Sequence, residues 1–274
     1  WQQHFGRGIV VSDDDFGTQG ELPTHPLLLD WLAAEFRENG WSMKELHRLI
    51  VTSATWRQSS FARPKLAERD PYNSWLARQN RLRVEAEIIR DLALSASGLI
   101  HHEIGGPSVY PPQPTDLVKL GFQTSLSWPE NKDQNRYRRG LYTFFQRTVP
   151  YPMLIEFDAA DSNAACTRRE RSNTPLQALT LWNDPVFVEC AQNLGARLLE
   201  EVPADDGDAA SVIERRIRLA YELCFSRPPT EDELQVVERL YKEAAGKQTV
   251  HSDRAAAFAV ARVLLNLDEF ITRE

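Results

Sequence analysis

Helix-start signals recur along this sequence, and they restrict the fold more than any other feature. Ser42 and Thr230 are each followed three residues later by glutamate, the spacing of a capping box that satisfies the free N–H groups of a helix start. Thr174 and Asp184 are good N-cap residues, and each is followed by a proline, which suits the first helical turn. The pattern therefore predicts an all-α fold of about ten helices in one compact domain.

Apolar residues also recur at helical spacing, whereas the alternation typical of strands is rare. Only 141–145 fits a strand as well as a helix. The long periodic segments predict helices over 24–39, 84–100, 184–199, 230–245 and 253–272.

Two segments in the middle of the chain have the composition of long loops. Residues 104–116 contain two glycines and four prolines, and residues 122–135 are polar without periodicity. Loops of this length are more often functional or mobile than idle, so we expect a site in this region. The loops leave two organisations open, a single domain over 1–274 or subdomains over 1–120 and 121–274.

Tryptophans beside the periodic apolar positions are expected in the core, because large aromatic side chains are mostly buried. These are Trp31, Trp41, Trp56, Trp75 and Trp182. Other aromatic residues lie in or near the middle loops, where they could stack on sugar rings beside arginines. These are Tyr110, Trp128, Tyr137 and Tyr151.

Charge and composition exclude several classes of protein. The net charge is -7, whereas a nucleic-acid-binding domain is expected to be basic. No run approaches the roughly 18 apolar residues of a membrane span.

The three cysteines form neither CxxC nor CxxCH, and the six histidines are scattered. We therefore predict no metal site, no cofactor held by this chain, no nucleic-acid partner and no membrane span.

The strongest candidate for a ligand site is a run of arginines ahead of the helix start at Pro175. Residues 134–171 contain seven arginines and four carboxylates. Guanidinium groups match sulfate, phosphate and carboxylate oxygens, and a helix start adds N–H donors. The predicted ligand-binding residues are Arg168, Arg169, Arg171, Asn173, Gln177, Arg138 and Arg139. The alternative is an internal network in which these arginines pair with nearby carboxylates.

Asp158 and Asp161 are the candidate catalytic residues. On a helix, carboxylates three residues apart share a face, where they could hold a metal or act as an acid and base pair. The alternative is that one carboxylate caps a helix and the other pairs with an arginine. The sequence leaves open whether the chain is an enzyme.

Several strings resemble the C-terminal domain of unknown function in large planctomycete proteins whose N-terminal part carries a c-type cytochrome module. The strings occupy 1–8, 15–20, 24–26, 46–48, 52–53, 105–108, 168–179 and 266–270. The resemblance implies that the chain is the C-terminal fragment of a larger protein, secreted or periplasmic, with haem c on another domain. It also implies a genomic setting associated with polysaccharide breakdown.

Three hypotheses follow for the function. The chain could be a module that binds an anionic carbohydrate, such as an anionic polysaccharide, and positions it near a redox partner. It could be a carbohydrate-active enzyme that uses Asp158 and Asp161 with the arginines. It could instead be a docking scaffold for the neighbouring domains of the same polypeptide.

Overall fold

The computed structural model describes residues 1–114, 127–204, 209–246 and 252–273, and these residues are mostly helical. The all-α prediction is confirmed, with eleven α-helices in the described ranges. They are α1 Gln2–Phe5, α2 Pro26–Glu38, α3 Met43–Thr52, α4 Pro64–Arg69, α5 Ala86–Ala96, α6 Pro152–Glu156, α7 Pro175–Asn183, α8 Pro185–Glu201, α9 Ala209–Phe225, α10 Glu231–Gly246 and α11 Ser252–Leu265. The strands β1 and β2 cover Leu82–Arg83 and Thr272–Arg273.

The chain divides into two compact units. The first comprises Trp1–Arg83 and Thr272–Glu274, and the second comprises Val84–Ile271. The subdomain boundary predicted near residue 120 lies outside the described residues.

The first unit contains α1 to α4 and the antiparallel pair of β1 and β2, in which Leu82 faces Arg273. Few of its apolar side chains are buried, and α2 has no buried residue. The core prediction is wrong for Trp31, Trp41 and Trp75, which are 48%, 67% and 60% exposed. An apolar stripe is buried only where a second apolar face covers it, and the small layer formed by α2 and α3 leaves Trp31 largely uncovered. Trp41 and Trp75 lie in turns outside the helices.

The second unit is a helical core in which α8 and α11 pack most closely, with α5, α9 and α10 around them. The close approach depends on Gly195 of α8. A Cβ atom there would lie 2.9 Å from the backbone nitrogen of Phe258 in α11. The core of this unit includes the buried faces of all five of these helices.

The predicted helix starts are present. Thr174 and Gln177 form a reciprocal capping box at α7, and Thr230 forms one with Glu233 at α10. Asp184 accepts a hydrogen bond from the N–H of Val186 at the start of α8.

Some predicted boundaries shift. The last helix ends at Leu265 and is followed by a 3-10 turn over Asp268–Ile271, so it is shorter than 253–272. The ambiguous run 141–145 lies partly in the 3-10 turn Gly140–Tyr142, and Thr143 forms one isolated bridge with Val109. Of the predicted loops, 115–116 and 122–126 lie outside the described residues.

Candidate functional site

The arginine run lies in the connection between α6 and α7, which spans 157–174 and belongs to the second unit. We call this connection the arginine loop. Asp158 and Asp161 both follow the end of α6 at Glu156, so neither lies on a helix. The geometry of the loop therefore depends on its side-chain contacts.

Asp158 ties the beginning of the arginine loop to its end. Its Oδ2 accepts hydrogen bonds from the N–H and the hydroxyl of Ser172, both at 2.7 Å. Its backbone is left-handed, with φ of 59°, a conformation that aspartate tolerates better than most residues. Asp158 is thus half-buried and engaged within the loop.

Gln177 reinforces the same tie from the first turn of α7. Its side-chain amide donates to the carbonyl of Glu156 at 2.8 Å and to the Ser172 hydroxyl at 2.9 Å. Its Oε1 accepts from the N–H of Thr174. The residue is only 1% exposed, so its amide holds the two ends of the loop together in the protein interior.

Arg169 anchors the loop to α5. Its guanidinium donates to both carboxylate oxygens of Glu87, at 2.6 and 3.1 Å, and lies 3.4 Å from Glu85. The hydrogen bonds with Glu87 raise the pKa of Arg169. This paired, bidentate geometry is the strongest type of side-chain contact between arginine and a carboxylate.

Arg139 binds one turn further along the same helix. Its Nε donates to Asp91 at 3.1 Å, and the N–H of Gly140 donates to the other oxygen of Asp91 at 2.5 Å. Glu87 and Asp91 are four residues apart, so they share a face of α5. The structure thus brings Arg139 and Arg169 to one acidic helix face.

Arg138 is buried and makes a different set of contacts. Its guanidinium donates to the carbonyls of Pro107 at 2.9 Å, Glu103 at 3.3 Å and Gly105, and lies over the ring of Tyr142. These contacts fix the loop around Gly105 and Gly106, both of which have left-handed backbones.

The groups that hold these arginines were not predicted from the sequence. Glu87 and Asp91 were detectable as carboxylates at helical spacing, whereas Ser172 gave no signal. Arg90 was also overlooked. It lies in the apolar stripe of α5, is buried, and donates to the carbonyls of Arg136 and Arg138.

The remaining predicted residues of the loop are exposed. Arg168, Arg171 and Asn173 all have exposed side chains. Asp161 forms a local turn in which it accepts from the N–H and the side-chain amide of Asn163, and the backbone hydrogen bond lowers its pKa.

The aromatic residues near the middle loops pack mainly on one another. Trp128 stacks on Tyr151 with ring centroids 5.6 Å apart, and Tyr110 stacks on Phe144 at 4.8 Å. Trp128 and Tyr151 also donate to the carbonyls of Pro111 and Pro112. These contacts hold the proline-rich segment before residue 114.

Two further features bear on chemistry. In the part of the chain that the structure describes, no three His, Cys, Asp or Glu side chains are grouped as a metal site. Within the same ranges, no helix has the length and apolar character needed to span a membrane.

These observations define a helical protein with an arginine loop whose two ends are joined by hydrogen bonds and in which Arg168 is exposed to solvent. The family model described as PSD1, protein of unknown function (DUF1553), matches residues 1–241, and the chain belongs to this family. No curated protein and no solved structure matches the chain.

Proposed function

We propose that the chain is a non-catalytic binding module whose arginine loop binds the anionic groups of a carbohydrate. The observation that carries the proposal is the exposure of Arg168 on a loop whose ends are tied by Asp158 and anchored by Arg169. A loop ordered before binding loses little conformational entropy when a ligand arrives. Guanidinium groups match sulfate esters and uronic carboxylates in shape and charge.

The predicted binding residues have two different roles under this proposal. Arg168 and Asn173 contact the ligand, since their side chains are exposed, and Arg171 is their exposed neighbour in the loop. The other members of the set hold the loop or its surroundings in place through the contacts described above. These are Arg169, Gln177, Arg138 and Arg139.

The resemblance described under Sequence analysis supports the wider setting. A secreted or periplasmic parent protein would carry haem c on another domain. The module would then position an anionic polysaccharide near this redox partner, with the neighbouring domains of the same polypeptide as its structural partners.

Catalysis by Asp158 and Asp161 receives less support from the geometry. One oxygen of Asp158 already accepts two hydrogen bonds from Ser172, and Asp161 is engaged with Asn163. A proton-transfer pair needs both carboxylates directed at one substrate position.

A docking scaffold is the second candidate function, and a specific observation favours it. The first unit exposes large apolar side chains, among them Phe16 at 76%, Leu22 at 87% and Leu27 at 83%. A neighbouring domain of the same polypeptide would cover them. Leu27→Glu should then weaken binding between this chain and the separately produced remainder of the parent polypeptide.

The binding proposal is tested by calorimetric titration with three glycans: dextran sulfate, polygalacturonate and uncharged dextran. We expect both polyanions to bind and dextran to give no heat of binding. The affinity should fall between about 0.1 M and about 1 M salt, because the Debye length shrinks from about 10 Å to about 3 Å. Equal binding of dextran and dextran sulfate would refute the proposal.

A further inference from the structure

A cleft of about 290 Å³ lies within the first unit, between α2, α3 and the turn at residues 75–76. Its apolar wall consists of Leu28, Leu32, Leu49, Ile50 and Leu76, and the indoles of Trp31 and Trp75 also line it. The volume lies just below the range of about 300 to 1,000 Å³ that is usual for small-molecule sites. The cleft therefore suits only one small organic molecule.

Trp75 is held at the cleft by a dense set of hydrogen bonds. The backbone N–H groups of Ser74 and Trp75 each donate to the carboxylate of Asp70 at 2.8 Å. The buried Asn73 accepts from the N–H of Ala77 at 3.0 Å, and its amide donates to the carbonyl of Arg78. Trp75 is 60% exposed, yet these hydrogen bonds hold its backbone in place. A site that is ordered before the ligand arrives binds at a lower entropic cost.

Leu76 adds a second sign of a specialised site. Its backbone is left-handed, with φ of 52°, a conformation that is costly for a bulky side chain. Leu76 is held on both sides, since Gln58 donates to its carbonyl at 2.8 Å and its N–H donates to the carbonyl of Asn73 at 3.0 Å. Backbone strain of this kind is found mostly at binding and catalytic sites.

The polar groups of the cleft determine the class of ligand. The Ser53 hydroxyl donates to the carbonyl of Ile50 and accepts from the N–H of Trp56, so its hydrogen bonds are made within the protein. His25 Nδ1 lies 3.0 Å from the Thr24 hydroxyl. Thr55 and Trp1 also line the cleft, and burial lowers the pKa of the Trp1 amino group, which disfavours its charged form. Among the described residues that line the cleft, no side chain is that of Asp, Glu, Lys or Arg. A charged ligand would lose its hydration there without gaining an ionic partner.

We infer that this cleft binds an uncharged aromatic compound of one or two rings. The flat faces of Trp31 and Trp75 favour an aromatic ring over an aliphatic chain, because stacked or edge-on rings gain energy beyond the area that they bury. The apolar wall accepts the rest of the molecule. This site is independent of the arginine loop, which belongs to the second unit.

The inference is tested with 2-naphthol, with 2-naphthalenesulfonate as a charged analogue of similar size. Equilibrium dialysis should give saturable binding of one 2-naphthol per chain, and weaker binding of the sulfonate by about tenfold or more. Trp31→Ala should weaken 2-naphthol binding about tenfold, which corresponds to the loss of about 1.4 kcal/mol. Trp41→Ala is the matched control, since Trp41 is also exposed but does not line the cleft.

Several results would overturn the inference: absence of saturable binding, equal binding of the sulfonate, or equal effects of Trp31→Ala and Trp41→Ala. If Trp31→Ala changes the circular dichroism spectrum, Trp75→Ala decides in its place. Tighter binding of N-acetyl-leucinamide than of 2-naphthol, with the same dependence on Trp31, would show that the occupant is an aliphatic side chain.

Discussion

Arg169 donates two hydrogen bonds to Glu87, a residue 82 positions earlier in the chain, at 2.6 and 3.1 Å. The contact joins the arginine loop to α5 in the second unit. It also divides the predicted anion site, because Arg169 is paired whereas its neighbour Arg168 is exposed.

Arg169→Ala should destabilise the protein by about 1 to 3 kcal/mol, since it leaves the partly buried Glu87 without its ionic partner. Glu87→Gln should lower the free energy of unfolding by less. In the double variant, Arg169→Ala with Glu87→Gln, the two effects should not be additive. Urea unfolding of the three variants measures these free energies. Additive effects would mean that the pair contributes no coupling energy.

Asp158→Ala should destabilise the protein by about 1 to 3 kcal/mol, because the N–H and hydroxyl of Ser172 lose their acceptor. Asp158→Asn should cost less, since asparagine keeps an acceptor oxygen and tolerates the left-handed backbone. Asp161→Ala is the control and should change the free energy of unfolding by about 0.5 kcal/mol or less, because Asp161 is exposed. Equal losses in the free energy of unfolding for Asp158→Ala and Asp161→Ala would contradict a stabilising contact between Asp158 and Ser172.

The sequence predicted the positions of helix starts well, because a cap is a local contact. Thr174, Asp184 and Thr230 all cap helices as their side-chain chemistry indicates. It failed for Trp31 of α2, because burial depends on whether a second layer covers a helix face, and for Trp75, which lies in a turn outside any helix. Periodicity along one helix contains no information about that layer.

The arginine cluster shows the same limit at the candidate site. The sequence places Arg138, Arg168 and Arg169 in a basic region, which is consistent with either a ligand site or an ion-pair network. Their partners come from distant segments, such as Glu87 for Arg169 and the carbonyl of Pro107 for Arg138. Which arginine is exposed therefore depends on tertiary contacts, which charge counting cannot predict.

Asp184 should make stability depend on pH. Burial raises its pKa to about 6, from an ordinary value of 3.8. The folded protein therefore binds more protons than the unfolded chain between these values, and this residue's contribution to stability falls as the pH rises from about 4 to about 6. The shift corresponds to about 3 kcal/mol at most.

Asp184→Asn isolates this effect, because asparagine is an equally good N-cap and does not titrate. The stability of the natural protein relative to this variant should decrease between pH 4 and pH 7, as measured by urea unfolding at each pH. A difference that is independent of pH would contradict a raised pKa.

Gly195→Ala should destabilise the second unit by about 1 to 3 kcal/mol, because the added methyl group meets the backbone of α11 at Ala257 and Phe258. Gly246→Ala is the matched control, since no atom lies within 4 Å of the added Cβ. The control should be neutral or slightly stabilising, because glycine disfavours the helix. Thermal unfolding compares the two, and a neutral Gly195→Ala would contradict the close packing of α8 and α11.

The decisive measurement for the arginine loop is the affinity of Arg168→Ala for dextran sulfate, compared with that of Arg239→Ala. Arg239 is an exposed arginine on α10, outside the loop. We expect Arg168→Ala to weaken binding about tenfold, the loss of one charge-assisted hydrogen bond, with a thermal midpoint within a few degrees of the natural protein. Arg239→Ala should bind normally. Unchanged binding by Arg168→Ala, or an equal loss in both variants, would contradict the assignment of the arginine loop as the binding site.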